Sequence, residues 1–161
     1  MMAVLFERQE TRRAALATAI ARFVAALEAR PMRLFLHAQG DRTPREIVAH
    51  LIGWNHAAVV ARAAIARGEL PESRVDSGPE FGKTNARAMA TYGSQDKATL
   101  PAQVRDAAAA WDAMLRALPG AERDQANGVR LGAWSISNGA MVEALTEDYD
   151  HHRKEINQWP T

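Results

Sequence analysis

The chain has 161 residues and a mass of 17.6 kDa, with 20 Lys and Arg against 19 Asp and Glu, so its net charge is only +1. Charges of both signs are scattered along the chain, so nothing in the composition calls for nucleic acid, and with no cysteine a disulfide framework, a thiolate metal site and a catalytic thiol are excluded. The length fits one domain over residues 1–161, and because no apolar run approaches a bilayer span, we expect a cytoplasmic protein without a membrane segment.

The low aromatic content and the absence of a long β-branched run favour helices over sheet. Apolar residues at steps of three and four predict a first helix over about residues 6–29. A second helix is predicted to begin at "TPRE", where Thr43 can cap, Pro44 suits the first turn and Glu46 completes a capping box. Its periodicity ends near Gly68.

Proline and glycine break the polar segment 69–100, which predicts a long crossover with one short helix around "KTNARAMAT". A third helix carries the apolar stripe from Val104 to Leu118. After a glycine-punctuated loop, a fourth helix is predicted from its cap Ser135 to about Trp159. These elements predict an all-α fold, a four-helix bundle with one long crossover connection.

Polar side chains interrupt the apolar stripes of two of these helices. Asp148 and His152 lie on the apolar side of the fourth helix, and on the second helix His50 leans towards the side of Ile47 and Trp54. Burying a polar group is costly unless a partner satisfies it. These three side chains are therefore expected either to satisfy one another or to bind something.

One interpretation is a metal site. Side chains four residues apart project side by side from a helix, which suits Asp148 and His152 as two ligands, with His50 as the third. Two imidazoles and a carboxylate would leave the far side of a Zn, Ni, Fe or Mn ion open to water or substrate. The alternative is structural, with Asp148 and His152 as a local hydrogen-bonded pair and His50 bonded to a carbonyl or water.

The segments "TPREIVAHLIGWNH" and "EDYDHHRKEINQW" resemble the DinB and YfiT-like superfamily of four-helix-bundle metalloenzymes, and the resemblance covers nearly the whole chain in helix order and loop lengths. It implies a metal held by one histidine of the second helix and two residues four apart on the last, which fall on His50, Asp148 and His152. In that superfamily the residue that corresponds to Asp148 is usually a histidine. The carboxylate of this chain therefore implies either a changed metal preference or a lost metal site.

The resemblance extends to ClbS/DfsB-like hydrolases, thiol-dependent transferases and maleylpyruvate-isomerase-like branches. It implies an enzyme in which a divalent metal, with or without a low-molecular-weight thiol, acts on a small electrophilic substrate; no catalytic residue is assigned. The rival interpretation is a non-catalytic bundle that has lost the metal and binds a small molecule or serves as a scaffold. With either function, the alanine-rich stripes would permit close packing in a homodimer.

Four further residues are candidates to line a pocket whose mouth the crossover would form. Trp54 and Tyr149 would line it or fill the core, His151 would lie at its rim, and "KTNARAMATYG" is similar to a stretch of several relatives that places Asn85 at its mouth. Nearby acidic residues, among them Glu155, are expected on a solvated face.

Overall fold

The computed structural model describes residues 2–38, 42–66, 82–118, 126–131 and 134–159. In chain order the elements of this part are α1 (Met2–Glu28), α2 (Met32–Phe35), α3 (Pro44–Ala66), α4 (Gly82–Tyr92), α5 (Leu100–Ala117), β1 (Ala126–Leu131), β2 (Trp134–Ser137) and α6 (Asn138–Gln158). The predicted all-α bundle, with four long helices and a short one in the crossover, is confirmed. No helix in the described ranges is both long and apolar enough to cross a membrane.

The four long helices enclose the core. They pack side by side in the order α1, α6, α3 and α5, with α5 returning to α1. Large side chains from every helix are removed from solvent, among them Phe23, Ile52, Trp111 and Tyr149. Phe23 and Tyr149 meet edge to face with 5.5 Å between ring centroids, which ties α1 to α6. Because α6 also packs on α3, side chains on the facing sides of these two helices can meet.

The first turn of α3 is fixed by its own side chains. The backbone N–H of Thr43 donates to Glu46 Oε2 at 2.6 Å, and the backbone N–H of Glu46 donates to Thr43 Oγ1 at 3.2 Å. The predicted capping box is therefore confirmed. The predicted helix end near Gly68 and residues 69–81 of the predicted crossover lie outside the described residues.

The start of α6 differs from the sequence prediction. Ser135 does not cap the helix, because it lies in β2 and pairs with Arg130 of the antiparallel strand β1. The extended chain continues to Ser137, whose Oγ accepts a hydrogen bond from the backbone N–H of Ala140 at 3.1 Å. The segments "VRL" and "WSIS" are separated by two residues, which is the usual spacing of a hairpin and the signal that could have predicted it.

Helix α4 lies against α3 at very short range. A Cβ built on Gly53 would lie only 2.3 Å from the Cβ of Ala88, so the two backbones could not approach this closely with any larger residue at position 53. Asn85 is three residues before Ala88 and shares its side of α4. The glycine thus allows α4 to bring Asn85 against α3.

Replacement of this glycine tests the helix contact. In an open helix Gly→Ala would stabilise by about 1 kcal/mol. Here the added methyl group meets Ala88 at 2.3 Å, so Gly53→Ala should instead destabilise by about 1–3 kcal/mol in urea unfolding. Hydrogen exchange should accelerate in α4 more than in α5.

The matched variant is Ala88→Gly, which removes the opposing methyl group. In the double variant the clash is relieved, so its destabilisation should be smaller than the sum of the two single effects. Strictly additive effects would show that the two residues do not oppose each other across the helix pair.

Candidate metal centre

Helices α3 and α6 bring His50, Asp148 and His152 together. His50 Nε2 lies 3.4 Å from Asp148 Oδ2, and His152 Nε2 lies 3.4 Å from the other carboxylate oxygen, Oδ1. The two imidazole rings are 5.5 Å apart between centroids and inclined at 79°. One nitrogen or oxygen from each of the three side chains lies within 4.8 Å of the other two. The residues selected from the stripes therefore converge on one place.

The two 3.4 Å separations are informative. A hydrogen bond between a charged nitrogen donor and a carboxylate is usually about 2.7–2.9 Å long. Two ligand atoms on one tetrahedral ion, each bound at about 2.0–2.1 Å, lie about 3.3 Å apart. Each nitrogen–oxygen distance is thus longer than a strong hydrogen bond and close to the distance between two ligand atoms on one ion, and the two nitrogens face different oxygens of Asp148.

The remaining ring nitrogens have acceptors of their own. His50 Nδ1 lies 2.9 Å from Oδ1 of Asn85 on α4, and His152 Nδ1 is hydrogen-bonded to Oε2 of Glu155, one turn further along α6. When the rings are neutral, a proton on each Nδ1 satisfies these contacts and leaves the Nε2 lone pair directed at Asp148. Metal-binding histidines are usually oriented by a partner of this kind.

Glu155, which was expected on a solvated face, also contacts the cluster. Its side chain is partly exposed, yet one carboxylate oxygen contacts His152. The signal was the spacing of three residues between His152 and Glu155, which places the two on neighbouring positions of a helix surface. The periodicity of apolar residues alone does not predict such polar pairs.

Burial and charge act in opposite directions on Asp148 and His152. Burial alone would raise the pKa of Asp148, but the attraction of His152 and His50 outweighs it and holds the pKa below its usual range. Burial alone would lower the pKa of His152, but Asp148 and Glu155 outweigh it and raise the pKa above its usual value. The cluster therefore favours a positive charge between its members.

The cluster lies at the edge of the core rather than at its centre. The side chain of His152 is 5% exposed, that of His50 18% and that of Asp148 33%. The core position next to Asp148 is taken by Tyr149, which is wholly buried. Asp148 therefore retains a solvent-facing side next to the two imidazoles.

The residues predicted to line a pocket fall in different places. Trp54 Nε1 donates to Asn85 Oδ1 at 2.9 Å, so both lie beside His50. The Tyr149 hydroxyl accepts a hydrogen bond from Nδ2 of buried Asn55 at 2.8 Å, inside the core. His151 is largely exposed on the outer side of the cluster, 3.5 Å from Glu155 Oε1. Asn55 was not selected from the sequence, although its place one turn after Leu51 puts it on the inner face of α3.

A second group of ligating atoms shares His152 with the first. His151, His152 and Glu155 also lie close enough to hold an ion. All three lie within about one turn of α6, where His151 is largely exposed and Glu155 is partly exposed. An ion there would have to take the His152 nitrogen that now faces Glu155, so the two groups can be distinguished by replacing His151.

The fold and the cluster define a class: a four-helix bundle with two imidazoles and a carboxylate gathered between two of its long helices. The same fold occurs in a crystal structure of a Streptococcus pneumoniae protein, with a TM-score of 0.78 and 17% identity over 93% of this chain and 88% of that one. It also occurs in the sibling lethal factor precursor DfsB, with a TM-score of 0.73 and 19% identity over 93% of both chains.

A third similar structure is that of a protein of Escherichia coli UTI89 described as uncharacterised, with a TM-score of 0.70 and 18% identity over 99% of this chain and 92% of that one. No protein-family model and no curated protein sequence matches the chain. At these identities the likeness shows the fold. The predicted resemblance is thus confirmed for the fold, which the chain shares with DfsB.

The pH dependence of the metal-free protein follows from the two shifted groups. The pKa of His152 is raised from 6.5, so its contribution to stability is complete below pH 6.5 and is lost as pH rises through the folded-state pKa. The pKa of Asp148 is lowered from 3.8, so its contribution is present above pH 3.8 and is lost as pH falls further.

The difference in free energy of unfolding between the wild type and His152→Gln, measured in urea with a chelator present, should therefore be largest between about pH 4 and 6.5 and shrink at higher pH. Equal differences at about pH 5.5 and pH 9 would mean that His152 and Asp148 do not stabilise each other electrostatically.

Proposed function

We propose that the chain binds one divalent transition-metal ion through His50, Asp148 and His152 and uses it to activate water or a small thiol against a small electrophilic substrate. The observation that carries the proposal is the orientation of both imidazoles. Each Nδ1 has an acceptor, and each Nε2 lies 3.4 Å from a different oxygen of one carboxylate. When both rings are neutral, two Nε2 lone pairs face the Asp148 carboxylate, and a cation between them would offset the cost of burying these groups.

The residues of the chain fit such an ion in chemistry as well as in spacing. Imidazole and carboxylate suit Zn, Ni, Fe and Mn, and the ligand types alone do not choose among them. With neutral histidines, the negative charges of Asp148 and nearby Glu155 would balance a divalent ion. Asn85 and Glu155 would hold the rings in the ligating orientation before the ion arrives.

The chemistry follows from the open side of the cluster. A divalent ion held by three protein ligands lowers the pKa of a bound water or thiol and polarises a substrate oxygen. A third of the Asp148 side chain is exposed, so a small molecule would approach the ion from this side. The proposed reactions are therefore hydrolysis or transfer of a low-molecular-weight thiol to a small electrophile, with the three ligands as the site.

One observation favours a second candidate, a non-catalytic bundle. The raised pKa of His152 and the lowered pKa of Asp148 mean that a proton on His152 can supply the positive charge that an ion would bring. In that case the three side chains would be a buried ion cluster that sets the packing of α3 against α6. The two candidates differ in whether removal of His152 costs metal affinity or only stability.

Metal binding is tested by titration calorimetry of chelator-treated protein with Zn, Ni, Mn and, without oxygen, Fe(II). The wild type should bind one ion per chain, and His50→Ala and His152→Ala should each weaken binding more than about 100-fold because each loses a direct ligand. An ion at a concentration 100 times its dissociation constant should stabilise the wild type by about 2.7 kcal/mol.

The matched control is His151→Ala, because His151 neighbours His152 but lies on the outer side of the cluster. It should bind the ion as the wild type does. If His151→Ala loses the ion while His50→Ala retains it, the second group on α6 is the binding site. If no variant or wild type binds any of the four ions, the non-catalytic candidate stands.

Catalysis is tested with chromogenic small esters, and with a chromogenic electrophile plus a small thiol. Metal-loaded wild type should accelerate at least one reaction over its chelated form, and His152→Ala should show no metal-dependent rate while His151→Ala retains it. Equal rates for loaded and chelated wild type across the panel, despite tight metal binding, would contradict the enzymatic part of the proposal.

A further inference from the structure

We propose that Trp54 is a positioning residue that fixes the tautomer of His50 by locking the side-chain amide of Asn85. The importance of that tautomer rests on the proposed metal site, but the tautomer itself is a property of the metal-free chain. The proposal is carried by one oxygen atom: Asn85 Oδ1 lies 2.9 Å from Trp54 Nε1 and 2.9 Å from His50 Nδ1.

The orientation of the Asn85 amide is set by Trp54. An indole nitrogen carries a proton and can only donate, so the atom of Asn85 that faces Trp54 must be its oxygen. If the amide turned over, its NH₂ group would face the indole N–H, donor to donor. Trp54 therefore decides which end of Asn85 points into the cluster.

This orientation in turn fixes the tautomer of His50. Because the same oxygen faces His50 Nδ1, that nitrogen must donate, and the proton of a neutral imidazole is then on Nδ1. Nε2 is left with its lone pair, 3.4 Å from Asp148 Oδ2. Without the lock, the opposite tautomer would be favoured in the metal-free chain, because a proton on Nε2 could bond the anionic oxygen of Asp148.

The arrangement is rigid enough to hold this chain of contacts. Trp54 is four residues after His50 on α3, so both side chains lie on one face, and their rings meet edge to face with 6.3 Å between centroids. Asn85 comes from α4, which is held against α3 by the close contact at Gly53. Two helices thus fix the three side chains relative to one another.

His50 needs such a residue because its Nδ1 partner differs in kind from that of His152. The partner of His152 Nδ1 is a carboxylate, Glu155, whose two oxygens both accept, so this nitrogen keeps its proton whichever way the carboxylate turns. The partner of His50 is an amide, with an acceptor at one end and donors at the other. An amide can support either tautomer unless a third group chooses its orientation.

The test is ¹⁵N NMR of the histidine ring nitrogens in metal-free protein, at a pH about two units above the ordinary histidine pKa of about 6.5. In the wild type His50 should carry its proton on Nδ1. Trp54→Phe should move the population towards Nε2–H. Trp54→Phe/Asn85→Asp should return it to Nδ1–H, because a carboxylate has no donor end and needs no lock.

Two further variants separate this role from packing. Trp111→Phe is the matched control, since Trp111 is wholly buried in the same core and its Nε1 has no hydrogen-bond partner in the described part of the chain. It should leave the His50 tautomer unchanged. Asn85→Leu removes the acceptor while Trp54 stays in place, and it should also shift His50 towards Nε2–H, which keeps the test open if Trp54→Phe folds poorly.

The proposal is overturned if Trp54→Phe leaves His50 in the wild-type tautomer. If Trp54→Phe is unfolded, the same result in Asn85→Leu overturns it. It is also overturned if the folded double variant fails to restore Nδ1–H. Metal titration gives a second readout: affinity should fall roughly tenfold in Trp54→Phe and recover in the double variant. Absence of metal binding in the wild type would refute the proposed function and leave the tautomer result to decide this inference.

Discussion

The negative charge of Asp148, held between two imidazoles from different helices, is the constraint around which this bundle is organised. A carboxylate that is two thirds removed from water must be compensated. His50 and His152 provide that compensation from α3 and α6, either with a proton or with a bound cation. The interaction thus joins the packing of two core helices to the chemistry that the cluster can perform.

The rest of the fold keeps the two imidazoles in place. Glu155 holds one ring from within α6, whereas Asn85 holds the other from α4, a helix of the crossover. Gly53 lets α4 approach α3 closely enough for that contact. Segments that look peripheral to a four-helix core therefore determine which nitrogen of His50 faces Asp148.

Much of this could be predicted from the sequence because it follows from periodicity and local chemistry. Apolar residues at steps of three and four predicted the long helices, and the capping box at Thr43 predicted the start of α3. The polar residues that interrupt two apolar stripes predicted the cluster of His50, Asp148 and His152. The short helix that carries Asn85 was also predicted. Each of these signals lies within one helix or one turn.

The remaining features depend on contacts that a single stripe does not encode. The role of Glu155 depends on its hydrogen bond to His152, which a solvated-face pattern does not include. Ser135 has the residue type of a helix cap, but it lies in a strand that pairs with Arg130. The hydrogen bond between Asn55 and Tyr149 requires the facing of α3 and α6. The hydrogen bond from Trp54 to the Asn85 amide requires α4 to pack on α3. A single glycine in a helix does not predict that packing.

The most direct measurement is anomalous diffraction from crystals grown with a bound transition metal and collected on both sides of its absorption edge. The account predicts one peak between α3 and α6, with His50 Nε2, His152 Nε2 and one oxygen of Asp148 each about 2.0–2.2 Å away. A peak bound through His151 and the Nδ1 of His152 instead, or a metal-soaked crystal with no peak at the cluster, would contradict it.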